Sequence, residues 1–218
     1  MHSSITFSGT TLHLLAEKAI WISESKTLLI ADLHFGKAAH FRKSGIPVPE
    51  PIHSHDLQGI RSLVEKYAPS DFYVLGDLFH SDWNEQWNEL NAFLQDFPMT
   101  KFHLVKGNHD VLSPLAYQQS LFEIHEKPVD LGNLFLTHEP SKEIPEGKLN
   151  LCGHLHPGVR LQGKGRQSIR ISCFHLGENQ LILPAFGRFT GLALVKRKPK
   201  DQIFGISGEK VIKILSKE

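Results

Sequence analysis

The sequence predicts an α/β fold in which two mixed sheets pack together and helices lie on the outside. In the first half, apolar runs and helical patterns alternate in the order strand, helix, strand, helix, strand. The second half contains short apolar or alternating runs separated by Gly, Pro, Asn and Lys turns, as in a second sheet. Since no Ser- or Gly-rich linker, repeat or low-complexity segment divides the 218 residues, one domain over 1–218 is expected.

Apolar runs predict the strands of the first half. Leu12–Leu15 and Ala19–Ile22 flank a short turn, as in a hairpin. Thr27–Ala31 is a continuous apolar run, typical of a strand that is buried on both faces. Two similar runs, Phe72–Leu75 and Phe102–Val105, predict the next strands of the same sheet.

Helical periodicity fills the intervals between these strands. After a loop from Phe35 to Pro51, apolar residues recur from Leu57 to Tyr67 with helical spacing. A second stripe, Trp83, Trp87 and Phe93, is predicted to face the core. A short helical stretch is expected near 112–119, and the following strands are predicted at Phe122–His125, Leu134–Thr137, Leu149–Cys152, Val159–Leu161, Ile169–Cys173, Gln180–Leu183, Leu192–Val195, Ile203–Ile206 and Val211–Leu215.

Composition excludes several classes of protein. The chain has 24 basic and 23 acidic residues, so its net charge of +1 gives no global attraction to nucleic acid or membranes. The two cysteines form no CxxC pair, which excludes a zinc knuckle. No signal peptide is apparent, and no apolar run reaches the roughly 18 residues of a spanning helix. A cytoplasmic protein without membrane contact is expected.

Polar clusters follow the predicted strands in a regular order. The clusters contain Asp32 with His34, then Asp77, then Gly107–Asp110, and later His138 and 153–156, so that βαβ crossovers would bring them to one sheet edge. Carboxylates, imidazoles and an amide are ligands for two divalent metals. A shared carboxylate is needed, and Asp77 is the candidate. The first metal would take Asp32, His34, Asp77 and His156, and the second Asp77, Asn108, His138 and His154.

The charges of this ligand set point to a phosphate ester as substrate. Four positive metal charges exceed the two ligand carboxylates, and a bridging hydroxide still leaves a positive centre that attracts phosphate. His109 is predicted to protonate the leaving oxygen, with Asp110 orienting or charging its ring. The mixed donors favour manganese, with iron or zinc as alternatives, over magnesium or calcium.

Several further residues allow two interpretations. His80 contacts substrate or caps the following helix. Lys37 and Arg42 bind phosphate or are solvated loop charges. The basic run 196–200 holds a nucleic-acid backbone or forms a solvated turn, the latter being favoured. Cys152, beside a metal motif, is expected to be a small buried hydrophobe.

These motifs resemble the calcineurin-like metallophosphoesterases. The resemblance implies a four-layer αββα sandwich, the ligand division above and His109 as the catalytic histidine. That superfamily often has Asp-Arg shortly after Gly-Asp, where this chain has Leu78–Ser81. A narrower resemblance, to bacterial ligase-associated DNA damage response endonucleases, spans about residues 28–195 and includes 31–38, 41–42, 45–49, 76–81, 138–140, 153–157 and 183–191.

This narrower family implies cleavage of DNA phosphodiesters, linked to an ATP-dependent DNA ligase and a helicase. The leading hypothesis is therefore a metal-dependent phosphodiesterase that acts on DNA in repair. The alternative enzyme is a phosphoesterase for a small nucleotide or a lipid-linked pyrophosphate. A non-catalytic scaffold is the third hypothesis, and it would be expected to lack some of the ligands.

Overall fold

A seven-stranded sheet forms the first half of the molecule. The computed structural model describes residues 3–37, 51–79, 83, 85–163, 165, 167–188 and 190–215. Four neighbouring strands run antiparallel, and the fourth continues into a parallel series. In spatial order the strands are β1 (Ser3–Phe7), β2 (Thr10–Leu14), β3 (Ile20–Ile22), β4 (Thr27–Ile30), β5 (Asp71–Leu75), β6 (Lys101–Val105) and β7 (Phe122–His125).

Helices connect the parallel strands of this first sheet. Helix α1 (Pro51–Tyr67) precedes β5, α2 (Glu85–Leu94) precedes β6, and α3 (Pro114–Gln118) precedes β7. Alternate strand residues, among them Val74 and Leu104, pack on the apolar faces of these helices in one buried cluster. The helices therefore cover one face of the first sheet.

The second sheet contains nine strands and covers the opposite face of the first. Its parallel centre consists of β9, β10 and β13, and β12 joins β13 antiparallel. In chain order its strands are β8 (Val129–Leu131), β9 (Leu134–Leu136), β10 (Leu149–Cys152), β11 (Pro157–Gln162), β12 (Ser168–Leu176), β13 (Gln180–Ile182), β14 (Ala193–Leu194), β15 (Gln202–Ser207) and β16 (Lys210–Ile214).

A second buried cluster fills the space between the sheets. Leu29 and Leu75 of the first sheet meet Leu151, Phe174 and Leu181 of the second, all fully buried. Along the strands of the first sheet, successive residues belong alternately to this cluster and to the helix-facing one, because side chains alternate between the two faces of a strand. The prediction of an α/β fold with two mixed sheets is thus confirmed.

Local predictions differ from the structure at four places. Helix α1 includes Pro51, which was expected in the loop; proline is tolerated in a first helical turn because no amide hydrogen is needed there. Trp83 is 52% exposed, so its predicted place in the core is wrong. Phe122–His125 belongs to the first sheet, because Phe122 packs in the helix-facing cluster. Strand β8 lies in a segment for which no strand was predicted.

A loop packs on part of the outer face of the second sheet. In the described part of the chain after Gln118, only strands and loops occur. Asn150 on β10 is completely buried there, and its amide oxygen accepts a 3.0 Å hydrogen bond from the Ser141 amide. The segment around Ser141 thus occupies a place where a helix could have packed. None of the described helices is long and apolar enough to cross a membrane.

Candidate metal centre

The predicted ligands lie at the carboxyl ends of parallel strands in both sheets. Asp32 follows β4, Asp77 follows β5 and Asn108 follows β6, while His138 follows β9 and His154 follows β10. Parallel strands deliver the residues after their carboxyl ends to one edge of a sheet. Since the two sheets are packed face to face, their two edges meet at one site.

Backbone hydrogen bonds hold the ligand loops together beyond the strands. The amide of Asp32 donates to the Gly76 carbonyl at 3.1 Å, and the amide of His34 donates to the Asp77 carbonyl at 2.8 Å. In the second sheet, the amide of Gly153 donates to the His138 carbonyl at 2.9 Å. The loops therefore continue the hydrogen-bond pattern of the sheets, which fixes the backbone positions of the ligand residues.

Five of the predicted ligands have left-handed backbone conformation. Asp32 and His34 have φ values of 54° and 49°, and the corresponding values are 49° for Asp77, 68° for His154 and 46° for His156. The chain therefore does not stay extended through Asp32 and His34. The chain turns at each of these residues instead. Non-glycine residues in this region cluster at functional sites, where surrounding structure holds them.

The first group of ligand atoms comes from Asp32, His34 and His156. Nε2 of His34 lies 3.3 Å from Nε2 of His156, and the latter atom lies 3.5 Å from Oδ1 of Asp32. These donor atoms all lie within 4.8 Å of one another, close enough to share one metal ion. The composition of this group matches the first predicted site.

The second group comes from Asp77, His138 and His154. Nε2 of His138 lies 3.1 Å from Nδ1 of His154 and 3.4 Å from Oδ1 of Asp77. Oδ1 of Asn108 lies 3.0 Å from the same nitrogen of His138, which adds an amide oxygen to the group. These four residues are the ones predicted for the second metal.

Asp77 connects the two groups. Its Oδ1 faces His138, whereas its Oδ2 lies 3.6 Å from Nε2 of His34 in the first group. A carboxylate with one oxygen toward each set of donors is suited to bridge two metal ions. Asp77 is nearly fully buried, and its Oδ1 also accepts a 3.0 Å hydrogen bond from the His109 amide, which fixes its orientation.

A divalent cation fits the unmet requirements of this site. Oδ1 of Asp32 is completely buried and accepts no hydrogen bond from the described residues. An ionised oxygen of this kind is costly to bury unless a cation compensates it. Nδ1 of His138 lies 3.0 Å from the Leu75 carbonyl, to which it can donate its proton, so that Nε2 keeps a lone pair for a metal.

His109 and Asp110 occupy different environments although they are adjacent. His109 is exposed at the mouth of the site, and its ring centroid lies 5.8 Å from that of His34. Asp110 is buried, and its carboxylate accepts hydrogen bonds from the amides of Gly107 (2.8 Å) and Phe79 (3.0 Å). Burial raises the pKa of Asp110 to about 6, and the charge of Asp77 adds to this effect.

Asp110 joins two ligand loops, and its predicted role of orienting or charging the His109 ring stays a prediction. Its hydrogen bonds among the described residues go to backbone amides and not to the ring of His109. The carboxylate joins the loop after β5 to the loop after β6, because the two amides belong to those loops. Asp110 is thus a positioning residue for the loops that carry Asp77 and Asn108.

Of the three predicted substrate-binding residues, Lys37 lies in the described part of the chain. Lys37 is half-buried, and its amide donates to the His34 carbonyl at 3.2 Å, so that it directly adjoins the first ligand group. Arg42 and His80 lie outside the described residues. The basic residues 196–200 are exposed, and the three lysines among them line a cavity of about 750 Å³. Leu155, between two histidine ligands, lines the same cavity.

Two glycines, Gly153 and Gly187, pack against Asp32 and its loop. A Cβ on Gly153 would lie 2.5 Å from Oδ2 of Asp32, and one on Gly187 would lie 2.1 Å from the Leu33 carbonyl oxygen. The amide of Gly187 donates to the Asp32 carbonyl at 3.1 Å. The available sequence signal was the position of Gly153 directly before the histidine pair, since close backbone approach selects glycine.

Cys152, also beside this motif, behaves as predicted. Its side chain is completely buried at the end of β10, and burial raises the pKa of its thiol. Low-pKa thiolates are the reactive form of cysteine, so this thiol is not suited to be a nucleophile or a ligand. It packs as a small apolar residue.

Two solved structures are similar to this chain. In the solved structures, the Pseudomonas putida nuclease MPE has 24% sequence identity and a TM-score of 0.80, with 98% of this chain and 100% of that chain covered. The Escherichia coli phosphoesterase YfcE has 16% identity and a TM-score of 0.46, with 86% and 97% covered. No curated protein sequence matches the chain.

A family model also matches the chain. The model of the calcineurin-like phosphoesterases covers residues 25–182, more than two thirds of the chain. This range contains every predicted metal ligand, from Asp32 to His156. The two groups of donor atoms and the match along the sequence lead to one conclusion: the chain belongs to the calcineurin-like phosphoesterase family.

Proposed function

We propose that this protein is a dinuclear metal-dependent phosphodiesterase that cleaves DNA and serves in DNA repair. The observation that carries the proposal is the position of Asp77 between two groups of donor atoms, with one carboxylate oxygen toward each. One metal per group, joined by this carboxylate, is the arrangement that two-metal phosphoesterase chemistry requires. All predicted ligand positions are filled, which argues against a non-catalytic scaffold.

The first metal would be held by Asp32, His34, Asp77 and His156, and the second by Asp77, Asn108, His138 and His154. When bound, two divalent ions polarise a phosphoryl group and lower the pKa of water enough to supply a nucleophile near neutral pH. Manganese suits this mixture of carboxylate, imidazole and amide donors, with iron and zinc as alternatives.

The chain's own side chains provide the remaining steps. His109 is exposed at the mouth, so it can reach the leaving oxygen of a bound ester and give it a proton. Asp110 keeps the Asp77 and Asn108 loops in register through its two amide contacts. Arg42, Lys37 and His80 are proposed to contact phosphate near the first group, with Lys37 supported by its place directly beside His34.

A long anionic substrate is supported by the cavity next to the site. Three lysines, Lys196, Lys198 and Lys200, line it together with two carboxylates, Glu178 and Asp201. Nε2 of His175 lies 2.8 Å from Oδ2 of Asp201, and Nζ of Lys200 lies 3.9 Å from Oε1 of Glu178. Because the three lysines outnumber the two carboxylates, this wall of the cavity carries a net positive charge. A strand running from the metal centre past Leu155 would pass these lysines.

The relative named a nuclease supports the same substrate, since it shares the fold over nearly the full length of both chains. The resemblance to ligase-associated endonucleases adds an ATP-dependent DNA ligase and a helicase as proposed partners. A ligase joins the strand ends that DNA cleavage creates, which is chemically consistent with a repair function.

Nicking of supercoiled plasmid in the presence of Mn²⁺ tests the proposal. The wild-type protein is expected to relax and linearise plasmid, and Asp77→Asn and His109→Ala are expected to lose at least about a hundredfold in rate. Asp77→Asn should also bind less metal, whereas His109→Ala should keep its metal content. Full plasmid cleavage by Asp77→Asn would overturn the mechanism.

Charge variants separate DNA from a small substrate. Replacing Lys196, Lys198 and Lys200 by glutamine should weaken plasmid cleavage and leave the hydrolysis of bis(p-nitrophenyl) phosphate unchanged. The matched control replaces Lys101, Lys127 and Lys210, which are exposed elsewhere, and should leave both rates unchanged. Hydrolysis of small nucleotides or pyrophosphates without plasmid cleavage would contradict the DNA substrate and favour the alternative phosphoesterase.

A further inference from the structure

A third group of potential metal ligands lies on strands β6 and β7. His103 of β6 is paired in register with Glu123 of β7, and His125 follows two residues later on the same face of β7. Donor atoms of these three residues all lie within 4.8 Å of one another. His103 precedes Asn108 by five residues, and none of the three belongs to the two groups around Asp77.

The spacing of these atoms matches that of ligands around one tetrahedral ion. Nδ1 of His103 lies 3.2 Å from Nε2 of His125 and 3.5 Å from Oε2 of Glu123. Nε2 of His125 lies 3.8 Å from Oε1 of Glu123. Ligands bound to zinc at about 2.0–2.1 Å in tetrahedral geometry are separated by roughly 3.3 Å.

Asp71 holds His103 in the form that a metal needs. Its Oδ1 lies 2.9 Å from Nε2 of His103, so the imidazole donates from Nε2 and keeps the lone pair on Nδ1. A carboxylate on the far nitrogen of a ligating histidine is a recurrent feature of zinc sites. The ring of Tyr73 stacks on that of His103 at 4.3 Å and 10°, which restricts its rotation.

The group is also accessible from solvent. The side chain of Glu123 is 64% exposed and that of His125 is 21% exposed, whereas His103 is 6% exposed. An ion can thus enter from the Glu123 side and keep a water molecule as fourth ligand.

We propose that His103, Glu123 and His125 form a separate mononuclear site for Zn²⁺ or a similar transition-metal ion, oriented by Asp71. Two imidazoles and one carboxylate with an open position suit zinc and its first-row neighbours better than magnesium or calcium. The site joins β6 to the edge strand β7. Its occupancy is therefore expected to stabilise the first sheet at that edge.

Zinc content of the full-length protein tests this site directly. The protein is equilibrated with chelator-buffered Zn²⁺, and bound metal is measured by elemental mass spectrometry for wild type, Glu123→Gln and His125→Ala. The wild type should bind one zinc more than either variant, with an affinity at this site at least tenfold higher. Glu126→Gln, which removes a neighbouring exposed carboxylate that faces Lys106, is the control and should match the wild type.

The comparison does not depend on the catalytic proposal, because the expected difference is one ion whatever the centre around Asp77 holds. Glu123 is exposed, so its glutamine variant should fold normally, as circular dichroism can verify. Asp71→Asn should weaken zinc binding about tenfold to a hundredfold through the orientation of His103. Equal zinc content in wild type, Glu123→Gln and His125→Ala would overturn the proposal.

Discussion

The backbone amide of His154 donates a 2.8 Å hydrogen bond to Oδ2 of Asp32, across 122 positions of sequence. The bond joins the ligand loop of one sheet to the ligand loop of the other. It also uses one oxygen of Asp32 and leaves Oδ1 directed at the first donor group, 3.5 Å from His156. A contact of the main chain thus aligns the two halves of the candidate centre without the help of a metal ion.

Gly153→Ala should disturb this alignment. A Cβ at Gly153 would lie 2.5 Å from Oδ2 of Asp32 and 2.6 Å from Cβ of Ala31, so the loop must shift. Displacement of about 1 Å in a catalytic array can cost roughly a hundredfold in rate. We expect a loss of that order in phosphodiesterase rate, together with weaker metal binding in a titration. Gly191→Ala is the control, because a Cβ added at Gly191 would have no described neighbour within 4 Å, and it should behave as wild type.

Asn150→Leu should destabilise the whole fold. The buried amide of Asn150 donates to the Phe135 carbonyl and to Oγ1 of Thr137, both at 2.8 Å, and accepts from the Ser141 amide. Leucine removes all three hydrogen bonds, and the Thr137 hydroxyl keeps only its bond to the Glu139 carbonyl. A loss of about 3 kcal/mol in the free energy of unfolding is expected from urea titrations. Asn88→Leu on the exposed side of α2 should change it by less than about 0.5 kcal/mol.

Asp56 should make stability fall as the pH rises. Burial raises the pKa of Asp56 from its ordinary 3.8 to about 6, against the opposing effects of the Arg188 amide, 3.4 Å from Oδ1, and the charges of Lys18 and Arg188. A carboxyl with a raised folded-state pKa contributes stability below pH 4 that is lost as the pH rises through 6.

The measurement is a series of urea unfolding curves between pH 4 and pH 8. For the wild type, Asp56 should lower the free energy of unfolding by about 3 kcal/mol at most over this pH range. Asp56→Asn should lack this decline, since an amide does not ionise, and should still accept from the Arg188 amide. Identical pH dependence for both proteins would show that Asp56 is charged as readily in the folded chain as in the unfolded one.

Both cysteines should be unreactive in the native protein. Cys152 and Cys173 are completely buried, and burial raises the pKa of Cys173 to about 12. Because the thiolate is the reacting species, modification by Ellman's reagent should be slower than that of a free thiol by a factor of about a thousand. Both thiols should react promptly in denaturant. Rapid labelling of one thiol without denaturant would mean that its strand opens readily.

The strands and the protein family could be predicted because local sequence patterns indicate both. Thr27–Ala31 and Leu149–Cys152 are continuous apolar runs, and each ends at a polar motif. The order of the motifs along the chain places them at strand ends, so their convergence followed from parallel pairing. The division of the ligands around Asp77 also agrees with the donor groups in the structure. The extent of one domain over 1–218 stays a prediction.

Other features depend on contacts that no local pattern contains. Trp83 has the spacing of an apolar stripe but lies outside helix α2, so its ring remains exposed. The part of Asp110 in joining two loops could not be inferred, because its partners, Phe79 and Gly107, are backbone amides. His103 and His125 lie on neighbouring strands, and only the register of β6 and β7 brings their rings together.

Left-handed backbone at Asp32, His34, Asp77, His154 and His156 gives these positions a thermodynamic disadvantage of roughly 1 kcal/mol each for any side chain with a Cβ. Folding alone would favour glycine at all five. These five side chains are therefore explained by what they do at the site and not by what they add to the stability of the fold.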